Sequence, residues 1–369
     1  MARYYIHCPY CGLEYPYHFK GFKCERCGKP LSVNIEVNVE MFKYIKGRGV
    51  WRYRLFLPEF KIEPISLGEG GTPIIERRYG NVKVFYKLDY LNPTGSFKDR
   101  GSTVAITRAL ELGVKRIFED SSGNTGISVS AYGAIAGLEV RIYVPRDAPK
   151  GKLAIMELFG AKIVKAGSRN EAARKVLEDL GPEDYYIGHT WNPFFIEGTK
   201  TLAYEVYEEV KSIEEVIVPV ASGSNLLGIY KGFKELLNMG LIDHLPRLIA
   251  VQVEGYAPVY EAFTGRKAPC KEPSKLADAL RLTIIPRLYE IVRALKETKG
   301  DVIVVSDNEI IQALRRLYKM GFTIEPTSAV VQVALEKMTK EKELNGPTLA
   351  VLTGSGLKMV HSIYEVALK

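Results

Sequence analysis

From Val82 onward, short apolar runs rich in β-branched residues alternate with amphipathic segments of helical period, and this alternation leaves few folds open. The runs are Lys83–Leu88, Arg116–Glu119, Val140–Val144, Lys162–Lys165, Glu215–Val220, Leu248–Val253, Val302–Val305 and Thr348–Leu352. Most are apolar without a break, as strands covered on both faces should be. Between them the spacing predicts helices over Asp99–Leu112, Thr125–Ala136, Lys152–Phe159, Glu197–Val210 and Asn308–Met320. The order is that of an α/β protein built on open, largely parallel sheets with flanking helices. The aromatic-rich segment Glu36–Pro64, which includes Trp51, reads as a structured entry to the core.

With 369 residues the chain has room for two or three domains. It is 46% hydrophobic and 25% charged, ordinary values for a globular protein, which excludes a largely disordered chain. No apolar stretch approaches the roughly 20 residues needed to span a membrane. The Met1–His7 start lacks the charged-then-apolar layout of a signal peptide, so the expected location is cytoplasmic. A net charge of +8 could serve an acidic partner, but Lys and Arg are interspersed with Glu and Asp on segments such as Glu171–Leu180, as on a solvated basic surface. No nucleic-acid partner is expected from it.

Cysteine is distributed unevenly. Cys8–Gly12 and Cys24–Gly28 both read C-x-x-C-G and are separated by twelve residues, the pattern of a zinc ribbon with Cys8, Cys11, Cys24 and Cys27 as ligands. Each short spacing puts two thiolates on one turn, and the following glycine permits the positive φ that lets backbone amides face the sulfurs. Four protein ligands leave no open position, so such a zinc is structural. A pair of disulfides is the alternative, disfavoured in an intracellular chain. Some zinc ribbons bind nucleic acid, which makes a zinc-ribbon nucleic-acid-binding protein a second class of function.

Glycine-rich segments recur where strands should end and helices begin: Leu67–Pro73, Asn92–Gly101, Ser121–Gly126, Ala221–Asn225 and Thr353–Gly356. Small-residue turns at helix starts offer backbone amides and a helix dipole to anions such as a phosphate or a carboxylate. None reads G-x-G-x-x-G and no G-x-x-x-x-G-K-[ST] occurs, which removes the main support for a dinucleotide or nucleoside triphosphate enzyme. Lys98 falls at a helix start, where the positive dipole end favours the neutral amine that forms an imine.

Taken together, GEGGTP at 68–73, NPTGSFKDRG at 92–101, SSGNTG at 121–126, PVASGSN at 219–225, EPTSA at 325–329 and LTGSGLK at 352–358 resemble the fold-type II (tryptophan synthase β) family of pyridoxal-phosphate enzymes, and within it the threonine synthases most closely. The six motifs stand in the family's order and cover nearly the whole chain. An amino-terminal zinc-binding segment also occurs in some threonine-synthase-like proteins. The resemblance implies an N-terminal ribbon over 1–40, a large cofactor-binding domain from 41–91 and 190–369, and a small domain at 92–189 that closes over the active site. It implies Lys98 as the Schiff-base lysine and the base that moves protons, and Asn124 as partner of the cofactor's phenolic oxygen. Ser121, Ser122, Gly123 and Thr125 would grip the substrate carboxylate, and Ser222, Gly223, Ser224 and Asn225 the cofactor phosphate. Thr353 would face the pyridine nitrogen. A homodimer is the expected assembly.

The likeness is least close in two places. Ala221–Asn225 reads ASGSN where threonine synthases usually have GNGGN, although serine hydroxyls still donate to a phosphate. In the stretch from His189 to Gly198, Phe195 occupies the place of an arginine that binds the substrate's phosphate, His189 that of an asparagine and Thr190 that of a serine. Phenylalanine cannot replace a bidentate guanidinium, which leaves His189 and Thr190 as the substrate-binding candidates there, with His189 and Lys200 as the sources of positive charge. Two lyase reactions follow: threonine synthase, taking O-phosphohomoserine and water to threonine and phosphate, or a serine/threonine dehydratase or β-replacement enzyme of the cysteine or cysteate synthase type.

Overall fold

A computed structural model describes residues 4–368; residues 1–3, the opening of the Met1–His7 stretch, and residue 369 lie outside the described residues. In chain order the strands are β1 (Tyr4–His7), β2 (Glu14–Tyr15), β3 (Ser32–Ile35), β4 (Ile74–Tyr79), β5 (Val82–Lys87), β6 (Arg116–Glu119) and β7 (Glu139–Pro145). They continue with β8 (Lys162–Ala166), β9 (Asp184–Tyr186), β10 (Glu215–Pro219), β11 (Arg247–Val253), β12 (Asp301–Val305) and β13 (Thr348–Val351). The helices are α1 (Lys98–Glu111), α2 (Asn124–Ile135), α3 (Lys150–Leu158), α4 (Arg169–Glu178), α5 (Pro193–Val210) and α6 (Ser224–Asn238). After them come α7 (Pro258–Thr264), α8 (Leu288–Glu297), α9 (Asp307–Lys319), α10 (Pro326–Glu341) and α11 (Val360–Leu368). No described helix is long and apolar enough to cross a membrane.

Contacts divide the chain into two units. The first holds the residues up to Gly71 together with Asn92–Thr94 and Lys98–Thr201. Its small antiparallel sheet, in the order β2–β1–β3, carries the cysteine segment. Its larger sheet runs β8–β7–β6–β9 and is parallel throughout. Strand β9 has three residues and begins with Asp184, so no apolar run announces it. Its register places Arg116 opposite Asp184, and Arg116 Nε donates to Asp184 Oδ1 at 2.6 Å. Segment 36–64 contains two 3-10 turns, Val39–Tyr44 and Val50–Phe56, with Trp51 donating to Thr103 Oγ1 of α1 at 2.8 Å.

The second unit holds Thr72–Leu91, Gly95–Phe97 and the chain from Leu202 onward. Its sheet has the order β12–β11–β10–β13–β5–β4, parallel except for the β4–β5 pair. Central strand residues Ile217, Ile249, Val251 and Ala350 are wholly buried, which is why their runs read as continuously apolar. Strand β4 was not expected, because as an exposed edge strand of sequence IIERRY it has no apolar pattern to read.

Most expected helices lie within two residues of those observed. Helix α5 differs: it begins at Pro193 rather than Glu197. Proline is pre-shaped for a first helical turn, and Asn192 Oδ1 accepts the Phe194 amide at 3.0 Å, so the turn before Glu197 is already helical.

Candidate active site

In the first unit, the turn before α1 is fixed by a buried carboxylate. Asp99 accepts the Thr94 amide at 2.7 Å, the Thr94 hydroxyl at 2.6 Å and the Ser128 hydroxyl of α2 at 2.6 Å. Three such bonds on one carboxylate hold the first residue of the helix, Lys98, in place. Two glycines, Gly101 and Gly198, then let α1 and the start of α5 approach closely. A Cβ on Gly101 would stand 2.3 Å from the Phe195 ring, and Lys98 Nζ lies 5.6 Å from the centroid of that ring. The Leu67–Pro73 motif is also tied down here: buried Glu69 accepts the Tyr132 hydroxyl at 2.6 Å, and the Gly70 amide donates to Asn92 Oδ1 at 2.8 Å.

The Ser121–Thr125 segment turns out of β6 into α2. Ser122, Asn124 and Thr125 are buried while Ser121 and Gly123 are half-buried, and the Gly123 amide donates to Ser121 Oγ at 3.3 Å. Gly126 makes the turn possible, since a Cβ there would meet the Ser121 carbonyl oxygen at 2.2 Å. Amides at the start of a helix suit a carboxylate.

Glu119 and Asp120 escaped the sequence reading. Glu119, wholly buried at the end of β6, lies 3.0 Å from His189 Nδ1 through Oε1, and its Oε2 accepts the His189 amide at 3.3 Å. Burial pushes the Glu119 carboxyl up to about 7, against the opposing pull of the Lys98 charge and of the His189 and Asp120 amides. Burial, and then the Lys98 charge, hold the His189 imidazole well below its usual range. Asp120 accepts the Tyr186 hydroxyl at 2.7 Å and is pushed up by burial and by the Glu119 charge beside it. The His189 ring lies 5.9 Å from that of Phe195, so Lys98 and His189 flank the same phenyl group. The local signal for Glu119 is an acid closing the four-residue strand Arg-Ile-Phe-Glu, with Asp120 after it, just before a glycine-rich loop. Its partner is 70 residues further along, beyond the reach of any local pattern.

Thr190 is half-buried beside His189 in the chain. Lys200, expected as a source of positive charge, is wholly buried and ion-paired with Glu197 at 2.8 Å, so its charge is already matched.

In the second unit, β10 leads through Ser222 and Gly223 into α6. Gly223 is the left-handed N-cap at φ +85°, and a Cβ there would meet the Ile291 side chain at 2.2 Å. The Ser222 and Ser224 hydroxyls are 3.5 Å apart. Both polar atoms of the Asn225 side-chain amide are buried without a hydrogen-bond partner among the described residues. An unpartnered amide at the positive end of a 15-residue helix fits a bound anion such as a phosphate. Elsewhere in this unit the Thr353 hydroxyl lies 3.2 Å from Ser328 Oγ, which also accepts the amides of Thr353 and Gly354 at 3.0 and 2.8 Å. Ser328 belongs to the EPTSA motif, whose part is thus to fix the end of β13.

The four cysteines come together as expected. Their sulfurs all lie within 4.8 Å of one another, and none is in a disulfide. Gly12 and Gly28 have φ of +73° and +69°, and their amides donate to the carbonyls of Cys8 and Cys24 at 2.9 and 2.8 Å. Tyr15 donates its hydroxyl to Cys24 Sγ at 3.3 Å. Four thiols at this spacing match the donor set of a closed tetrahedral zinc site.

Residues 65–354 match the family described as pyridoxal-phosphate dependent enzyme. Among curated relatives, the threonine synthase of Methanosarcina acetivorans is 32% identical over 98% of this chain and 94% of its own length. That of Methanocaldococcus jannaschii is 36% identical over 95% of this chain and 92% of its own. Of the solved structures, maize serine racemase shares the fold, with a TM-score of 0.66 over 80% of this chain and 92% of that one, at 23% identity.

Proposed function

Because the chain belongs to the pyridoxal-phosphate-dependent enzyme family, we propose that it is a threonine synthase, a lyase of amino-acid biosynthesis that converts O-phosphohomoserine and water to threonine and phosphate. The observation that carries this reading is the match to threonine synthases along nearly the whole chain, ribbon included. When bound, pyridoxal phosphate supplies an electron sink for negative charge developing at the substrate's Cα. The residues that would hold it are Lys98 through its amine, Asn124, Ser222, Gly223, Ser224 and Asn225 at the phosphate, and Thr353 at the pyridine nitrogen. The unpartnered Asn225 amide supports that assignment.

Lys98, once its amine is freed, would move protons at the substrate's Cα and Cβ, held for that task by the Asp99 anchor. Ser121, Ser122, Gly123 and Thr125 would orient the substrate by its carboxylate at the start of α2. Thr353 offers a hydroxyl rather than a carboxylate to the ring nitrogen, which disfavours transamination and leaves elimination and replacement open. The zinc ion is proposed for Cys8, Cys11, Cys24 and Cys27 on their donor geometry. Free thiols of this kind suit a cytoplasmic protein, and a homodimer is the proposed assembly. Residues 92–189 are proposed to tighten on substrate binding, read out by slowed hydrogen exchange there.

Phe195 favours a second reading. With phenylalanine packed against Gly101 where an arginine would bind phosphate, a serine/threonine dehydratase or β-replacement activity is the competitor. Incubating the cofactor-loaded protein with O-phosphohomoserine and following phosphate and threonine together decides between them. Equal release of both supports threonine synthase; turnover confined to serine, threonine or O-phosphoserine overturns it.

A further inference from the structure

The Glu119–His189 pair joins a wholly buried acid, Glu119, to a half-buried imidazole, His189, and the roles above leave Glu119 unused. Its geometry fixes which ring nitrogen is free to act. Nδ1 is engaged by Glu119 Oε1 at 3.0 Å and the backbone of His189 by Oε2 at 3.3 Å, so the ring is held from two sides of one carboxyl group. Nε2 is the ring nitrogen left over, on a side chain that is 18% exposed. The imidazole flanks the Phe195 ring, as does the Lys98 amine, which brings Nε2 into the neighbourhood of a substrate held at Lys98.

We propose that Glu119 and His189 work as one proton-sharing pair that makes His189 Nε2 the hydrogen-bond and proton donor to the departing phosphate, in place of the absent arginine. The proposal deepens the threonine synthase reading and rests on it. When the Glu119 carboxyl is protonated it donates to Nδ1, and the imidazole must carry its own proton on Nε2. When Glu119 is ionised it accepts from Nδ1–H, and Nε2 presents a lone pair. The raised Glu119 carboxyl and the depressed imidazole keep the shared proton close to this balance near neutral pH. The other charges acting on the ring are those of Lys98 on α1, Asp120 after β6 and Arg169 on α4.

The step balances. Lys98 removes the Cβ proton, and that electron pair forms a Cβ–Cγ double bond as the Cγ–O bond breaks. The Cγ–O pair stays on the phosphate oxygen, which takes the Nε2 proton; Lys98 then delivers its proton to Cγ. The Glu119 proton passes to Nδ1, leaving a carboxylate and an imidazole with its lone pair on Nε2. Water then adds its hydroxyl at Cβ and gives its proton to Nε2, and the proton on Nδ1 returns to Glu119.

The test uses holoenzyme labelled with nitrogen-15 histidine, with the His189 resonances assigned by their loss in His189→Asn. The expected result is a change of tautomer between pH 6 and 8 that disappears in Glu119→Ala, and a shift of the Nε2 resonance on adding inorganic phosphate. In turnover of O-phosphohomoserine, His189→Phe should lower kcat by roughly 100-fold, while His189→Asn, which keeps a donor, should stay within about 10-fold. A His189 signal indifferent to phosphate, or a folded His189→Phe with unchanged kcat, overturns the proposal while leaving threonine synthase intact. Should the wild type respond to phosphate by NMR yet fail to turn over O-phosphohomoserine, it is the functional reading that falls; the pair then stands as an anion donor.

Discussion

The Cβ that Gly198 lacks would stand 1.7 Å from the carbonyl oxygen of Arg100. That contact is to helix backbone, which cannot swing aside as a side chain would. It sets the distance at which the start of α5 meets α1, and with it the seat of Phe195 beside Lys98. Gly198→Ala is therefore expected to destabilise the protein by about 1–3 kcal/mol, the usual cost of overpacking, as measured by urea denaturation. It should also alter the environment of Lys98, visible as a shift in cofactor absorbance. An alanine variant as stable as wild type would show that the helices have room to separate.

Lys98→Ala removes the amine on which cofactor chemistry depends. Turnover should fall by roughly 1,000-fold or more, and the absorbance of the lysine-bound cofactor should vanish while the far-ultraviolet circular dichroism is retained. Persistence of the wild-type absorbance in that variant would place the cofactor on another lysine.

Glu119 carries a stability signature with a definite sign. Its carboxyl is raised from 4.5 to about 7 in the folded protein. Between those values the unfolded chain has lost the proton and the folded chain keeps it, so this group lowers stability as pH rises from 4.5 toward 7, by about 3 kcal/mol in all. His189 acts with the opposite slope: below its ordinary value of 6.5 the unfolded chain takes a proton that the folded one refuses. Glu119→Gln should leave the His189 slope unopposed, so the stability of the variant relative to wild type climbs between pH 5 and pH 7. Parallel stability curves for the two proteins would contradict the raised carboxyl.

At the start of α6, Gly223→Ala places a side chain in the left-handed region, at φ +85°, and against Ile291. The backbone strain alone amounts to about 1–2 kcal/mol, or roughly a 5- to 30-fold loss if it falls wholly on cofactor binding. Titration of apoprotein with pyridoxal phosphate measures it. Unchanged affinity would separate this loop from the cofactor phosphate.

One zinc per chain is expected, lost in Cys8→Ser. Chelation should raise hydrogen exchange in the Cys8–Gly12 and Cys24–Gly28 turns, which the four sulfurs bring together. Mass spectrometry that found two disulfides among the four cysteines would replace the metal by crosslinks.

The sheets and most helices were legible because their strands are short, buried and apolar, and so differ sharply from the amphipathic segments between them. Less legible is whatever owes its place to a specific partner rather than to a run of apolar residues. Strand β4 is polar and exposed; β9 is three residues long and held by Arg116 across the sheet. The glycine-rich loops were visible as motifs, and the structure supplies the physical reason for several of their residues, such as the Ser121 carbonyl that leaves room only for glycine at 126. Glu119 was passed over since its meaning depends on His189, which no spacing rule connects to it. Lys200 differs: its partner Glu197 stands three residues earlier on the same helix, a spacing that is legible in the sequence, and silences its charge.

The strand order of the larger sheet bears on how the chain is made. Strand β13 lies between β10 and β5, pairing with both, yet among the described strands it is the last to be synthesised. Until Thr348–Val351 has been synthesised, the β4–β5 hairpin and the β10–β11–β12 group have no strand to join them, and each keeps an open edge facing its missing neighbour. Nascent chains stalled short of Thr348 should accordingly stay protease-sensitive and recruit chaperones, because closure of the sheet waits on a strand made more than 250 residues after β5, its partner on one side.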